Sequence, residues 1–308
     1  MDLRLATAAI EAALPGTGAA DEPAFLVRRP QAPPVAPPAT PLVFASPHSG
    51  RHYPAEMLAA AALDEAAIRR SEDAFVDVIA AAGPRYGVPL IQACYARAYI
   101  DVNREAYELD ASMYEDELPS YAQARTARVA AGLGAIARVV GEGQEIYKRK
   151  LTFAEARRRI ETVHRPYHEA LGGLLREAQA RFGYAILVDW HSMPSAAAAA
   201  ASRGRRGADF VLGDRFGAAC SAALSGLVER ELEAMGYAVA RNAPYAGGHT
   251  TEFYGRPSEG VHALQIEINR ALYLNERNLK RHGGFDRLIR DIERLAQALA
   301  AADWSKLA

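Results

Sequence analysis

Five short apolar runs, each closed by turn residues, constrain this chain more than any other feature. They are "LVFAS" (42–46), "VPLIQACYA" (88–96), "YAILVDW" (184–190), "ADFVLG" (208–213) and "HALQIEI" (262–268). Runs that stay apolar through successive residues suit strands covered on both faces, because an exposed face would show polar residues at every second position. Longer helical patterns lie between them. "LTFAEARRRIETVHRPYHEALGGLLREAQARFG" opens with Thr152 and Glu155 at capping-box spacing and sets Phe153, Ile160, Val163, Tyr167 and Leu171 near one face before Gly183. Asp214 is placed to cap a helix running towards Gly236, and "FDRLIRDIERLAQALAAA" forms a C-terminal amphipathic helix. Strands alternating with helices predict an α/β domain with a mostly parallel or mixed sheet, whose ligands gather at the carboxyl ends of the strands.

The first 40 residues hold "RRPQAPPVAPPATP", where proline removes amide donors and favours extended chain, so a lead-in precedes a single domain over 41–308. "SAAAAAASRGRRGAD" (195–209) interrupts the alternation; its glycines and basic residues predict an exposed, mobile loop beside the site. Thirty-six Lys and Arg against 37 Asp and Glu give a formal net charge of -1, which leaves no electrostatic footprint for nucleic acid or an anionic membrane. No run approaches the roughly 20 apolar residues that cross a bilayer. Cys94 and Cys220 lack metal or redox spacing and read as buried thiols, which fits a cytoplasmic protein with a small-molecule substrate.

Chemistry gathers where apolar runs break. His48 and His191 each follow a buried-strand pattern and precede a serine, which makes them candidate imidazole ligands for a borderline-soft ion such as zinc. A third ligand is needed, and "RRSEDAFVDVIAAAG" offers Glu72, Asp73 and Asp77 without choosing among them; acids in a first helical turn also complement its dipole. Alternation across Tyr95–Val102 predicts a strand that ends in Asp101, Asn103 and Arg104. Arg97 and Arg104 suit a carboxylate pocket, and Arg97 suits stabilisation of a developing oxyanion. Glu267, isolated in an apolar run, is either paired with Arg270 or a general base on a metal-activated water. The glycines at 247 and 248 permit a loop from which His249, Arg256 and Arg270 reach a ligand.

In this order "SPHSGRHYP", "DVNRE", "VDWHSMPS" and "GGHTTEFYGRPSEGVHALQIEINRALYLNE" resemble the N-formylglutamate amidohydrolase family, relatives of zinc carboxypeptidases and the aspartoacylase group, over about Pro41 to Arg294. The resemblance implies a three-layer α/β/α sandwich around a mixed sheet, of the zinc-carboxypeptidase, phosphorylase/hydrolase-like kind. It implies one zinc ion on His48, Asp73 and His191, with Glu72 in reserve because Arg51 stands where carboxypeptidases carry their glutamate. It further implies Glu267 and Arg97 as catalytic groups and Asn103 with Arg104 as the clamp on a substrate carboxylate; Arg256 or Arg270 takes the second. The expected reaction releases formate and an amino acid from an acidic N-formyl amino acid. An enzyme for another N-acyl amino acid or peptide, a silent anion-binding protein, and a serine hydrolase using Ser49 or Ser192 are the rivals; the last lacks a Gly-x-Ser-x-Gly elbow.

Overall fold

The computed structural model describes residues 22–30, 37–200 and 207–307. Seven strands form the central sheet: β1 (Phe25–Arg28), β2 (Leu42–Ser46), β3 (Leu90–Ala93), β4 (Ala185–Met193), β5 (Phe210–Gly213), β6 (Val239–Arg241) and β7 (Val261–Asn269), in the order β1-β3-β2-β4-β7-β5-β6. Strands β3, β2, β4 and β7 run parallel, while β1 and β5 pair antiparallel to their neighbours and β6 follows β5, so the sheet is mixed. The five apolar runs supply β2, β3, β4, β5 and β7, the five interior strands, as burial on both faces requires.

Alternation decides what each face carries. Ile186, Val188 and Trp190 of β4 and Leu264, Ile266 and Ile268 of β7 pack under the C-terminal helices, α3 (Ala222–Ala234) and α4 (Phe285–Ala301). Ala185 and Leu187, with Ala263, pack against α2 (Arg165–Phe182) on the opposite face. Helices on both faces of one sheet make the expected three layers. The same period of two places Asp189 and His191 of β4 beside Gln265 and Glu267 of β7, register partners across the β4–β7 ladder.

Several local expectations need correction. The predicted strand 95–102 is a turn: the Tyr99 and Ile100 N–H groups both donate to the Ala96 carbonyl, and Asp101 accepts the Asn103 N–H at 2.8 Å. Asp214 does not open a helix; it accepts from the Gly217 N–H, and α3 starts eight residues later, capped by Ser221. The long helical pattern divides into α1 (Phe153–Arg159), with its Thr152–Glu155 capping box, and α2, joined by a π turn at Ile160–His164. Pro166, lacking an amide hydrogen, follows the π turn at the start of α2. Part of the proline-rich lead-in becomes β1, the edge strand. Ser195–Ala200 is helical, with Ala198 buried and the Ser195 N–H held by Glu276, so alanine propensity prevails there; residues 201–206 lie outside the described set. No helix among the described residues is long and apolar enough to cross a membrane.

Candidate active site

β2 delivers Pro47 and His48 to its carboxyl end, and His191 and Glu267 occupy matching positions two residues before the ends of β4 and β7. A loop brings the acid. The Asp73 N–H donates to the His48 carbonyl at 3.0 Å, while Ser49 Oγ donates to the Asp73 carbonyl and accepts from the Asp77 N–H. Gly50 permits this knot, since a Cβ there would lie 2.1 Å from the Tyr95 carbonyl oxygen.

The result is a buried triad. His48 Nδ1 and His191 Nδ1 are 3.1 Å apart, His191 Nδ1 is 3.1 Å from Asp73 Oδ2, and His48 Nδ1 is 3.4 Å from the same oxygen. Each imidazole uses its far nitrogen on a carboxylate: His48 Nε2 meets Asp101 Oδ1 at 2.7 Å and His191 Nε2 meets Asp189 Oδ2 at 2.9 Å. A carboxylate can only accept, so those far nitrogens carry the hydrogens and the two Nδ1 lone pairs converge with Asp73. Three acceptors facing one another repel unless a cation sits between them. A tetrahedral ion with bonds of about 2.0–2.1 Å sets its donors about 3.3 Å apart, close to the spacing found, and an N,N,O set suits a borderline ion such as zinc. The donor set therefore fits a metal.

Charge supports the arrangement. Burial opposes ionisation of Asp73, but the neighbouring His191 and His48 imidazoles and the Arg270 guanidinium hold its carboxyl well below the usual range. Burial likewise disfavours an imidazolium at His191, yet Asp189 and Asp73 raise its pKa well above the ordinary value, so a proton and a metal ion compete for the same Nδ1. Burial pushes Glu267 up to about 7; the charge of Asp73 adds to this, while His191, Arg97 and Arg270 pull it down. Gln265 Nε2 donates to Glu267 Oε1 at 2.8 Å, and no described residue hydrogen-bonds the other oxygen.

Of the three acids left open by sequence, one reaches the imidazoles. Glu72 accepts from Tyr53 and Arg69, and Asp77 accepts both its bonds from Arg51, whereas Asp73 offers Oδ2 inward and binds Arg270 with Oδ1 at 2.9 Å. The serine alternative loses its footing: Ser49 Oγ is engaged by Ser46, Asp73 and Asp77, Ser192 Oγ accepts from Arg270, and neither hydroxyl bonds an imidazole.

A cavity of about 590 Å³ opens over the triad and is lined by His48, Asp73, His191, Glu267, Arg97, Asn103 and Arg104 among others. Arg97 donates to Asp101 Oδ2 at 2.7 Å, so Asp101 ties together His48, Arg97 and the Asn103 amide. Arg104 donates to the carbonyls of Leu133 and Asn103. Thr250 N–H fixes the Asn103 side chain through Oδ1, and because His191 Nε2–H already serves Asp189, the Asn103 Nδ2 hydrogens remain available to a ligand. Behind this segment, His164 Nε2 and His168 Nε2 donate to the carbonyls of Arg104 and Val102, so α2 and its π turn brace the asparagine from both sides. Burial keeps both imidazoles below their ordinary pKa.

Two expected substrate contacts lie outside the cavity lining, and a third is held by protein groups. Arg256 is half exposed, pairs with Glu259 at 3.6 Å and does not line the cavity. His249 stacks on Phe253 and is also absent from the lining. Arg270 lines it, but its guanidinium is spent on Asp73, Ser192 and the Arg70 carbonyl, and it does not hydrogen-bond Glu267. Sequence reading also missed Asp189 and Asp101 as partners of the histidines; the visible signal for Asp189 is its place two residues before His191, on the same face of the strand.

Gly248 approaches Asn103 so closely that a Cβ would fall 2.5 Å from Nδ2. Gly248→Ala is expected to rotate that amide and raise KM at least tenfold with little change in metal content; unchanged KM would detach Asn103 from substrate binding.

A model of the family described as N-formylglutamate amidohydrolase matches residues 40–274. A crystal structure of N-formylglutamate amidohydrolase from Ralstonia eutropha JMP134 is 41% identical, with a TM-score of 0.82 over 90% of this chain and 96% of that one. N-formylglutamate deformylase of Pseudomonas aeruginosa is 31% identical over 77% of this chain and 83% of its own length; that of Pseudomonas putida is 30% identical over 77% and 82%.

Proposed function

The chain belongs to the N-formylglutamate amidohydrolase family and is an amidohydrolase; on that premise we propose that it hydrolyses N-formyl-L-glutamate to formate and L-glutamate with one zinc ion. The observation that carries the metal reading is the convergence of His48 Nδ1, His191 Nδ1 and Asp73 Oδ2, each backed by a charged partner. When bound, the ion supplies Lewis acidity that polarises the formyl oxygen and acidifies water.

The chain's own groups do the rest. Glu267 takes a proton from the attacking water on its free oxygen and delivers it to the departing amine nitrogen, a role suited to a carboxylate poised near neutrality. Arg97, steadied by Asp101, donates to the oxyanion that forms as water adds. Asn103 Nδ2 and Arg104 hold the substrate α-carboxylate, which fixes the formyl carbon relative to Glu267. Arg270 positions Asp73 rather than touching substrate.

The deciding experiment couples formate and glutamate release from N-formyl-L-glutamate to metal analysis of the same sample. Turnover with one zinc per chain, abolished by a chelator and restored by zinc, is expected. The stripped protein is also expected to melt at lower temperature, because a ligand that binds only the folded state stabilises it. Turnover that survives complete metal removal would end the proposal.

A further inference from the structure

Building on that proposed function, we infer that Arg128 reads the side-chain carboxylate of the substrate and makes the enzyme select acidic over neutral N-formyl amino acids. The cavity contains five arginines, and four have hydrogen-bond partners in the protein, Arg97 and Arg104 keeping a free nitrogen each for the oxyanion and the α-carboxylate. Arg97 serves Asp101, Arg270 serves Asp73 and Ser192, Arg104 donates to two carbonyls, and Arg70 donates to Gln144. Arg128 differs. Its only ion contact among the described residues is Glu108, at 3.8 Å and without a hydrogen bond, and its side chain is 34% exposed while lining the cavity.

Glu108 lies beside the guanidinium without hydrogen-bonding it. Its Oε1 accepts from Thr126, the residue that caps the short helix Ala127–Ala130 carrying Arg128, while its Oε2 has no hydrogen-bond partner. The five N–H donors of Arg128 thus stay open to a carboxylate.

Position matches as well. The two carboxylates of glutamate are three carbons apart, so the second cation must neighbour Arg104. Burial lowers the Arg104 pKa, and the charges of Arg97 and Arg128, which line the same cavity, push the same way against Asp101 and Glu108. A bound carboxylate between Arg104 and Arg128 relieves that repulsion. Ala131 and Leu133, on the same segment as Arg128, offer apolar lining for the intervening methylenes.

The test compares N-formyl-L-glutamate with N-formyl-L-glutamine, which differ in side-chain charge at nearly constant shape. Arg128→Gln is expected to lower kcat/KM for the glutamate substrate by about 10- to 100-fold, mainly through KM, the usual weight of a hydrogen bond to a charged group. The glutamine substrate should lose far less, so the preference collapses, and Arg128→Lys should recover part of it. Equal losses on both substrates, or collapse caused by Arg70→Gln instead, would overturn the assignment. If Arg128→Gln does not fold, Glu108→Gln decides: it removes the competing carboxylate and should sharpen the preference, and an unchanged or weaker preference counts against Arg128. A wild-type enzyme inactive on both substrates would refute the proposed function itself, whereas activity whose preference ignores Arg128 refutes this inference alone.

Discussion

Glu267→Gln is expected to cut turnover by about 10² to 10⁴-fold while zinc content stays near one per chain, the usual range for loss of a general base. The substitution is nearly isosteric, and its remaining carbonyl oxygen can still accept from Gln265 Nε2, so the end of β7 keeps its shape. Metal should be retained because the three converging donors come from His48, His191 and Asp73. What disappears is proton acceptance. In the wild type the rate must rise with pH through the Glu267 pKa, because only the carboxylate form is a base. Burial sets that value near 7 without an ion, and a neighbouring dication draws it lower, so the acid limb should have its midpoint below about 7. Steady-state rates against pH, with metal analysis of both proteins, check this. Undiminished turnover in the variant would remove Glu267 from the mechanism.

Asp73→Asn should be still more damaging, since it strikes the metal and the fold together. Asp73 divides its oxygens between the imidazoles and Arg270, whose side chain is only 7% exposed. The neutral amide weakens the donor set by more than the 10- to 100-fold typical of groups that merely orient a ligand. It also leaves a buried guanidinium without its counter-charge, and breaking such a pair costs about 3–5 kcal/mol. Glu72→Gln is the matched control: Glu72 is equally buried, but it faces Tyr53 and Arg69, so zinc affinity should persist. Zinc titration and thermal unfolding of both variants separate the two effects. Full zinc affinity in Asp73→Asn, with loss in Glu72→Gln, would reverse the ligand assignment.

Much of the sheet was legible because strand period and apolar run length are local properties. The same locality exposed His48, His191 and Glu267, each a polar residue at the end of an apolar run. Spacing could not single out Asp73, which only the family resemblance favoured, because its neighbours Glu72 and Asp77 differ from it chiefly in partners from outside the segment: Tyr53 for the one, Arg51 for the other. Arginines suffered most from this. Arg270 meets Asp73 across nearly 200 residues of sequence, whereas Arg256 is met by Glu259 only three residues on, a local signal that the sequence did carry. The turn at 95–102 was misread because alternating polarity mimics a strand where Asp101 captures its own backbone.

The sheet and the segment between Arg104 and Leu151 divide the labour of the cavity. His191 and Glu267 ride on two nine-residue strands joined along their whole length, whereas Arg128 and Leu133 belong to a stretch with little regular structure. Natural variation can therefore remodel which acyl amino acid is admitted, by insertion or exchange in that wall, while the bond-breaking apparatus is inherited intact. Descendants of this scaffold should diverge in diet sooner than in chemistry.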